Sequence, residues 1–399
     1  MRKVIMIGCD LHDASMLLKI AVDREAPETK SVKNDPQRRK ALVADLQRRA
    51  QAEGGARVVF AYEASGQGFG LYDELTAAGV ECCVLAPTKM ARSPRQRSEK
   101  TDERDALWLL ELLRGHVLAG NRLPTVWIPD AATRDDRELV RMRMDVAEKV
   151  TAVKTQVQCL LKRNQLRRPP GVGQGWTKPF RRWLQHDLIV SAESPLAGGA
   201  RAALSSLLRQ LRALEEEEMR LDKQVDKLAW SPRYAASTRE VTRLCGVGVL
   251  TAMVFLTEMG DLGRFANRRQ IAAYLGLAPT CHESGEKNDC KGHITHQGSP
   301  RVRRVLCQAT WARVRYDEEE KAAYERIKAK NPKKKKIAVV ASMRRLAIRM
   351  WHLGLRAQDP TAENKSPGRD KASTGSSSLT TWLPSAGSPE VEPAVRRAT

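Results

Sequence analysis

Apolar and polar residues alternate in short bursts over the first third of the chain. Further on, the apolar positions recur at helical spacing. Residues 3–9, 16–23 and 29–34 read as three strands. Tight polar links such as His12-Asp13-Ala14-Ser15 predict antiparallel pairing. Asp35-Pro36 places a capping carboxylate before a proline at the first helical position, so a helix is expected to about residue 52. Strand 57–63, helix 68–79, strand 81–86 and helix 101–114 complete the alternation.

Three meandering strands followed by alternating helices and strands is the ribonuclease-H order. A doubly wound nucleotide-binding sheet alternates too, but Gly66, Gly68 and Gly70 do not form its glycine fingerprint. Beyond residue 130 the pattern is helical. Val146, Val150, Val153, Val157 and Leu160 step by four and three, as do Leu204, Leu207, Leu211 and Leu214. Leu221, Val225 and Leu228 extend the second series past a break at Glu218. Between the two lies Arg167-Arg168-Pro169-Pro170-Gly171-Val172-Gly173-Gln174-Gly175-Trp176, which cannot be continuous helix. A helical hairpin or a self-association arm fits. Leu244-Cys245-Gly246-Val247-Gly248-Val249 reads as the turn of a helix-hairpin-helix unit, where glycines let backbone N–H groups approach a phosphate. The expected fold is thus α/β plus α. A ribonuclease-H/resolvase-like domain spans residues 1–125, a helical coiled-coil region 130–235 and a helical C-terminal domain 236–355. Ser, Gly, Pro, Thr and Ala dominate residues 356–399, which are expected to be a disordered tail.

Charge narrows the partners. Lys and Arg number 69 against 47 Asp and Glu, a formal net charge of +22. That excess points to a polyanion, most simply nucleic acid. Residues 300–350 hold 16 Lys and Arg and 5 acidic residues, a net of 16 − 5 = +11, or half the total. Arg301, Arg303, Arg304 and the run Lys333, Lys334, Lys335 and Lys336 are the candidate phosphate contacts there, with Gly246 and Gly248. No segment reaches the roughly 18 apolar residues of a membrane span, and the first apolar run ends at Asp10, so no membrane partner and a cytoplasmic, nucleoid-associated protein are expected. Eight scattered cysteines read as reduced thiols. Cys281, His282, Cys290, His293 and His296 could supply zinc ligands, but their spacing is irregular and CxxC is absent.

Four carboxylates stand out against the basic background. Asp10 closes the first apolar run and Glu63 closes Val58-Val59-Phe60-Ala61-Tyr62. Asp102 and Asp105 stand three apart at a helix start, hence on one face. These are the places where a ribonuclease-H-type sheet puts metal ligands. Hard oxygen donors suit Mg²⁺ or Mn²⁺, and four carboxylates can hold two ions for phosphoryl transfer.

Ordered motifs then give a resemblance. Gly8-Cys9-Asp10-Leu11-His12, Tyr62-Glu63-Ala64-Ser65-Gly66 and Lys100-Thr101-Asp102-Glu103-Arg104-Asp105-Ala106 lead the series. Gly246-Val247-Gly248, residues 272–279, Glu283-Ser284-Gly285-Glu286 and Gln297-Gly298-Ser299-Pro300-Arg301 follow. In this order they resemble the DEDD-type transposases of bacterial insertion sequences, relatives of the Piv-type DNA invertases. Two departures are Asp13, where the family usually carries Lys or Arg, and Gly298-Ser299, where it has Gly-Asn or Gly-Asp. The resemblance implies a transposase or site-specific recombinase in which Asp10, Glu63, Asp102 and Asp105 hold metal and Ser284 attacks DNA. It also implies oligomers, a dimer or tetramer, and an RNA that selects the DNA. Ser299 is the rival serine. The alternative readings are a junction-resolving nuclease that uses water, and a non-enzymatic nucleic-acid-binding scaffold.

Overall fold

The computed structural model describes residues 2–90, 101–281, 291–330 and 332–358. The chain divides into two compact units after Arg134.

The first unit is a sheet flanked by helices. Its strands are β1 (Val4–Leu11), β2 (Ser15–Val22), β3 (Glu28–Lys33), β4 (Arg57–Glu63) and β5 (Glu81–Leu85), ordered β3-β2-β1-β4-β5. β1 pairs antiparallel with β2 and parallel with β4, so the sheet is mixed about β1. Helix α1 (Pro36–Ala52) starts where expected, with Asp35 accepting from the Arg38 N–H at 2.9 Å. α2 (Gly70–Ala77) and α3 (Asp102–Ala119) complete the unit. α3 outruns its expected end at 114 and stops at Gly120, whose φ of +73° is the left-handed conformation glycine adopts at helix ends.

Side-chain alternation divides β1 between two cores. Ile5, Ile7 and Cys9 pack with Leu42, Leu46 and Leu75 of α1 and α2. Met6 points the other way, joining Leu109, Leu110 and Leu113 of α3. Gly8 follows Met6 on that face. A Cβ there would lie 2.3 Å from the Ala106 carbonyl oxygen and 2.4 Å from the Leu110 nitrogen. The missing side chain therefore lets α3 lie directly on β1.

The second unit is helical. α4 (Ala131–Arg163) and α6 (Gly198–Ala229) are its longest elements, with the short α5 (Lys178–Gln185) between them. Val146, Val150 and Val153 share a core with Leu211 and Leu221, while Val157, Leu160 and Leu161 share one with Leu204. Higher numbers on α4 meet lower numbers on α6, which makes an antiparallel hairpin. The heptad-like seam is thus used within one chain. The remaining helices are α7 (Ala235–Thr242), α8 (Val249–Met259), α9 (Arg268–Tyr274), α10 (Pro300–Tyr316), α11 (Glu318–Lys330) and α12 (Lys335–Gln358). A two-stranded ribbon, β6 (Pro279–Cys281) with β7 (Lys291–Ile294), lies between α9 and α10. α8 forms the centre of this core: Ala252 to Leu256 and Met259 are all buried.

Candidate metal centre

Asp10 lies two residues beyond Gly8 on β1, on the face toward α3. On β4, Val59 and Ala61 join the α3 core, so Glu63 takes the same face. The register Cys9↔Tyr62 sets Glu63 next to Asp10 at the ends of neighbouring parallel strands. On α3, Ala106, Leu109, Leu110 and Leu113 are buried against the sheet. Asp102 and Asp105 continue that stripe one turn earlier. Thr101 caps the helix by accepting from the Arg104 N–H at 3.4 Å, and three acidic residues occupy the first turn, where the helix dipole favours negative charge.

Among the described residues, Asp10, His12 and Asp102 offer ligand atoms within 4.8 Å of one another. His12 Nε2 lies 3.1 Å from Asp10 Oδ2 and 3.5 Å from Asp102 Oδ2. Asp105 is buried beneath them and Glu63 is half-buried on the adjoining strand. The Asp10 carboxyl is held above its usual pKa, first by burial and then by repulsion from Asp102 and Asp105, while His12 works against the rise. A half-buried carboxylate crowded by other acids gains from a bound cation. Two carboxylate oxygens and an imidazole nitrogen form a donor set that Mg²⁺ or Mn²⁺ accepts. The residues present therefore fit a divalent ion. His12 is the member that was not assigned from sequence. Its signal was its place two residues after Asp10, because alternate positions at a strand end share a face.

The basic candidates divide into two groups. Arg301 donates to Asp145 at 2.8 Å, and Arg304 pairs with Glu148. Arg303 donates to the Gly298 carbonyl at 2.6 Å and to the Leu275 carbonyl at 3.2 Å. These three arginines hold α10 to its surroundings. Lys333, Lys334, Lys335 and Lys336 are all exposed at the start of α12. Gly246 takes a φ of +77°, and a Cβ there would press on the Ala309 carbonyl and the Ala312 side chain of α10. Its bareness therefore serves packing. Gly248 has open space around it. Ser299 precedes α10 without capping it through its hydroxyl. Ser284, His282 and Cys290 lie outside the described residues, as does all of the expected tail beyond residue 358.

An IS110-type DEDD transposase domain matches residues 7–164, and the "Transposase IS116/IS110/IS902 family" domain matches residues 238–325. The chain thus carries both domains of IS110-type transposases. The Sinorhizobium fredii protein y4qE, described as a candidate transposase, is 35% identical over 255 residues, which take in 64% of this chain and 58% of that protein. The transposase for insertion sequence element IS1533 of Leptospira borgpetersenii is 25% identical over 78% of this chain and 86% of its own length. The transposase for IS1111A of Coxiella burnetii is 25% identical over 64% of this chain and 65% of its own. The matched span 7–164 contains every member of the acidic group, and all but His12 were read from the sequence alone.

Proposed function

We propose that the protein cuts and rejoins DNA strands at the ends of an insertion sequence, with a ribonuclease-H-like first unit as the metal-binding half of its active site. The observation that carries this reading is the convergence of Asp10, His12 and Asp102 at the end of the central strand, with Glu63 and Asp105 beside them. Asp10, His12 and Asp102 would hold one ion directly, and Glu63 and Asp105 supply the further oxygens for a second. Bound there, Mg²⁺ or Mn²⁺ would polarise a phosphoryl oxygen and ease deprotonation of the attacking hydroxyl. Burial of Asp105 and Ala106 fixes the Asp105 side chain, and the Gly8 contact fixes the distance of α3 from β1.

Ser284 is the proposed nucleophile, on the family resemblance and on its Ser-Gly setting. Its Oγ would form a bond to phosphorus as the strand's P–O bond breaks and the hydroxyl proton passes to water. The departing strand hydroxyl takes up a proton. Attack by a strand hydroxyl then reverses the exchange, releasing serine without loss of phosphodiester energy. The resemblance also supports an RNA partner, an oligomeric assembly and a place in the cytoplasm beside DNA. No described helix is long and apolar enough to cross a membrane.

The test uses purified protein and a DNA bearing the element's ends. Asp10→Asn and Asp102→Asn should each lower strand cleavage by at least about 100-fold while DNA binding survives, because a ligand to a catalytic ion acts mainly in the transition state. EDTA should do the same. A denaturation-resistant protein–DNA adduct should map to Ser284 and be absent from Ser284→Ala. Cleavage at full rate in EDTA would refute the metal centre. Metal-dependent nicking with no adduct would replace the serine by water.

A further inference from the structure

The end of the α4–α6 hairpin carries an unusual division of charge. All acidic residues of α4 precede residue 149, and all those of α6 follow residue 214. Residues 149–186 contain Lys149, Lys154, Lys162, Arg163, Arg167, Arg168, Lys178, Arg181 and Arg182, and no Asp or Glu. Antiparallel pairing brings the acid-free part of α4 against the acid-free part of α6, which adds Arg201, Arg209 and Arg212. Asp187 and Glu193 are the acidic residues of the turn between them. At the opposite end, acids are paired: Arg143 meets Glu218 at 2.9 Å and Asp222 at 2.6 Å.

The segment between α4 and α6 is a built cap. Phe180 and Leu184 are fully buried with Val157, Leu160 and Leu204, and Trp183 is 8% exposed. Arg168 donates to the Gly173 and Gly175 carbonyls at 2.7 and 2.8 Å, and its guanidinium stacks 3.7 Å from the Phe180 ring centre. Arg181 grips Glu215 with two bonds of 2.7 Å. These contacts consume Arg168 and Arg181 and fix the loop. Lys162, Arg163, Arg167, Lys178 and Arg182 remain exposed, and none of them forms an ion pair with another described residue.

We propose that this cap is a phosphate-binding surface that grips the backbone of nucleic acid. A bilayer or an apolar protein groove would call for outward aromatic residues, whereas the cap turns its rings inward. A phosphate lattice requires only fixed cations that no carboxylate already holds. Holding those cations on a packed core lowers the entropy lost when they meet the backbone. The proposal rests on the reading that the protein acts on nucleic acid, and its test reads binding alone.

The full chain in EDTA, where cleavage does not intrude, would be titrated by fluorescence anisotropy against a DNA duplex and an RNA strand of arbitrary sequence. The variant combines Arg163→Gln, Arg167→Gln, Lys178→Gln and Arg182→Gln. A control of equal charge loss combines Arg48→Gln, Arg220→Gln, Arg243→Gln and Lys321→Gln, all exposed residues already paired with acids. On duplex DNA the slope of log affinity against log salt should fall in magnitude by about 3 to 4, roughly 0.9 per lost phosphate contact, and on RNA by about 3 at roughly 0.7 per contact. A fall on one polymer alone would name that polymer as the source. The control should change either slope by less than about 1. Unchanged slopes on both polymers, or an equal fall in the control, would overturn the proposal. The first outcome would direct the search to an acidic protein. Loss of metal-dependent cleavage in another experiment would leave this result standing.

Discussion

Gly8 shows how much one missing side chain can decide. A methyl group at this position would meet backbone atoms of α3 at 2.3 and 2.4 Å, and backbone cannot rotate aside as a side-chain end can. Gly8→Ala should therefore lift the start of α3 from β1. The expected cost is about 1–3 kcal/mol of stability, as for other overpacked positions. Cleavage should fall further than stability alone explains, because Asp102 and Asp105 ride on the displaced helix. Thermal melting together with the cleavage rate at a temperature where the variant remains folded would check this. A folded Gly8→Ala protein with full activity would count against it. His12 makes the complementary point. The sequence displayed it inside a motif, yet its bridging position between Asp10 and Asp102 required the strand end and the helix start to meet.

At the level of elements, the hairpin is the clearest instance of a pattern read correctly with its partner left open. The repeated apolar steps on α4 and α6 fit either self-association or an intramolecular seam. Val153 is 7% exposed and Leu211 is 1% exposed, each against the other helix of the same chain. Val153→Asp should therefore destabilise the chain itself by several kcal/mol, about 3 or more, because an unpaired carboxylate would be buried. The expected result is a lower melting temperature at every protein concentration. If Val153→Asp melts like the parent but sediments as a smaller species, the seam acts between chains instead. The sheet strands were placed within a residue or two from alternation and turn chemistry, since each signal there is local. The reach of α3 past residue 114 was not visible in that way. Its last turns are held by contacts with the sheet, and only Gly120 marked the end.

For the whole molecule, each unit has its own core. Both clusters of the sheet unit draw their members from residues 4–128, on two faces of one sheet. A chain ending at residue 134 should therefore unfold cooperatively, with a single thermal transition by circular dichroism. A broad, featureless melt would show that the sheet depends on the rest of the chain. The amino-acid sequence by itself determined the order of strands and helices, the four carboxylates, the polyanion-seeking charge and the family, because propensity, periodicity and motif are properties of neighbouring residues. Tertiary structure decided the rest. It placed Glu63 beside Asp10 through parallel pairing, drew His12 into the acidic group, spent Arg301, Arg303 and Arg304 on internal partners, and left Lys162, Arg163, Arg167, Lys178 and Arg182 of the hairpin cap without a described acidic partner. Each of these depends on which distant residue lies opposite. That is set by register and packing between elements, and no local pattern encodes it.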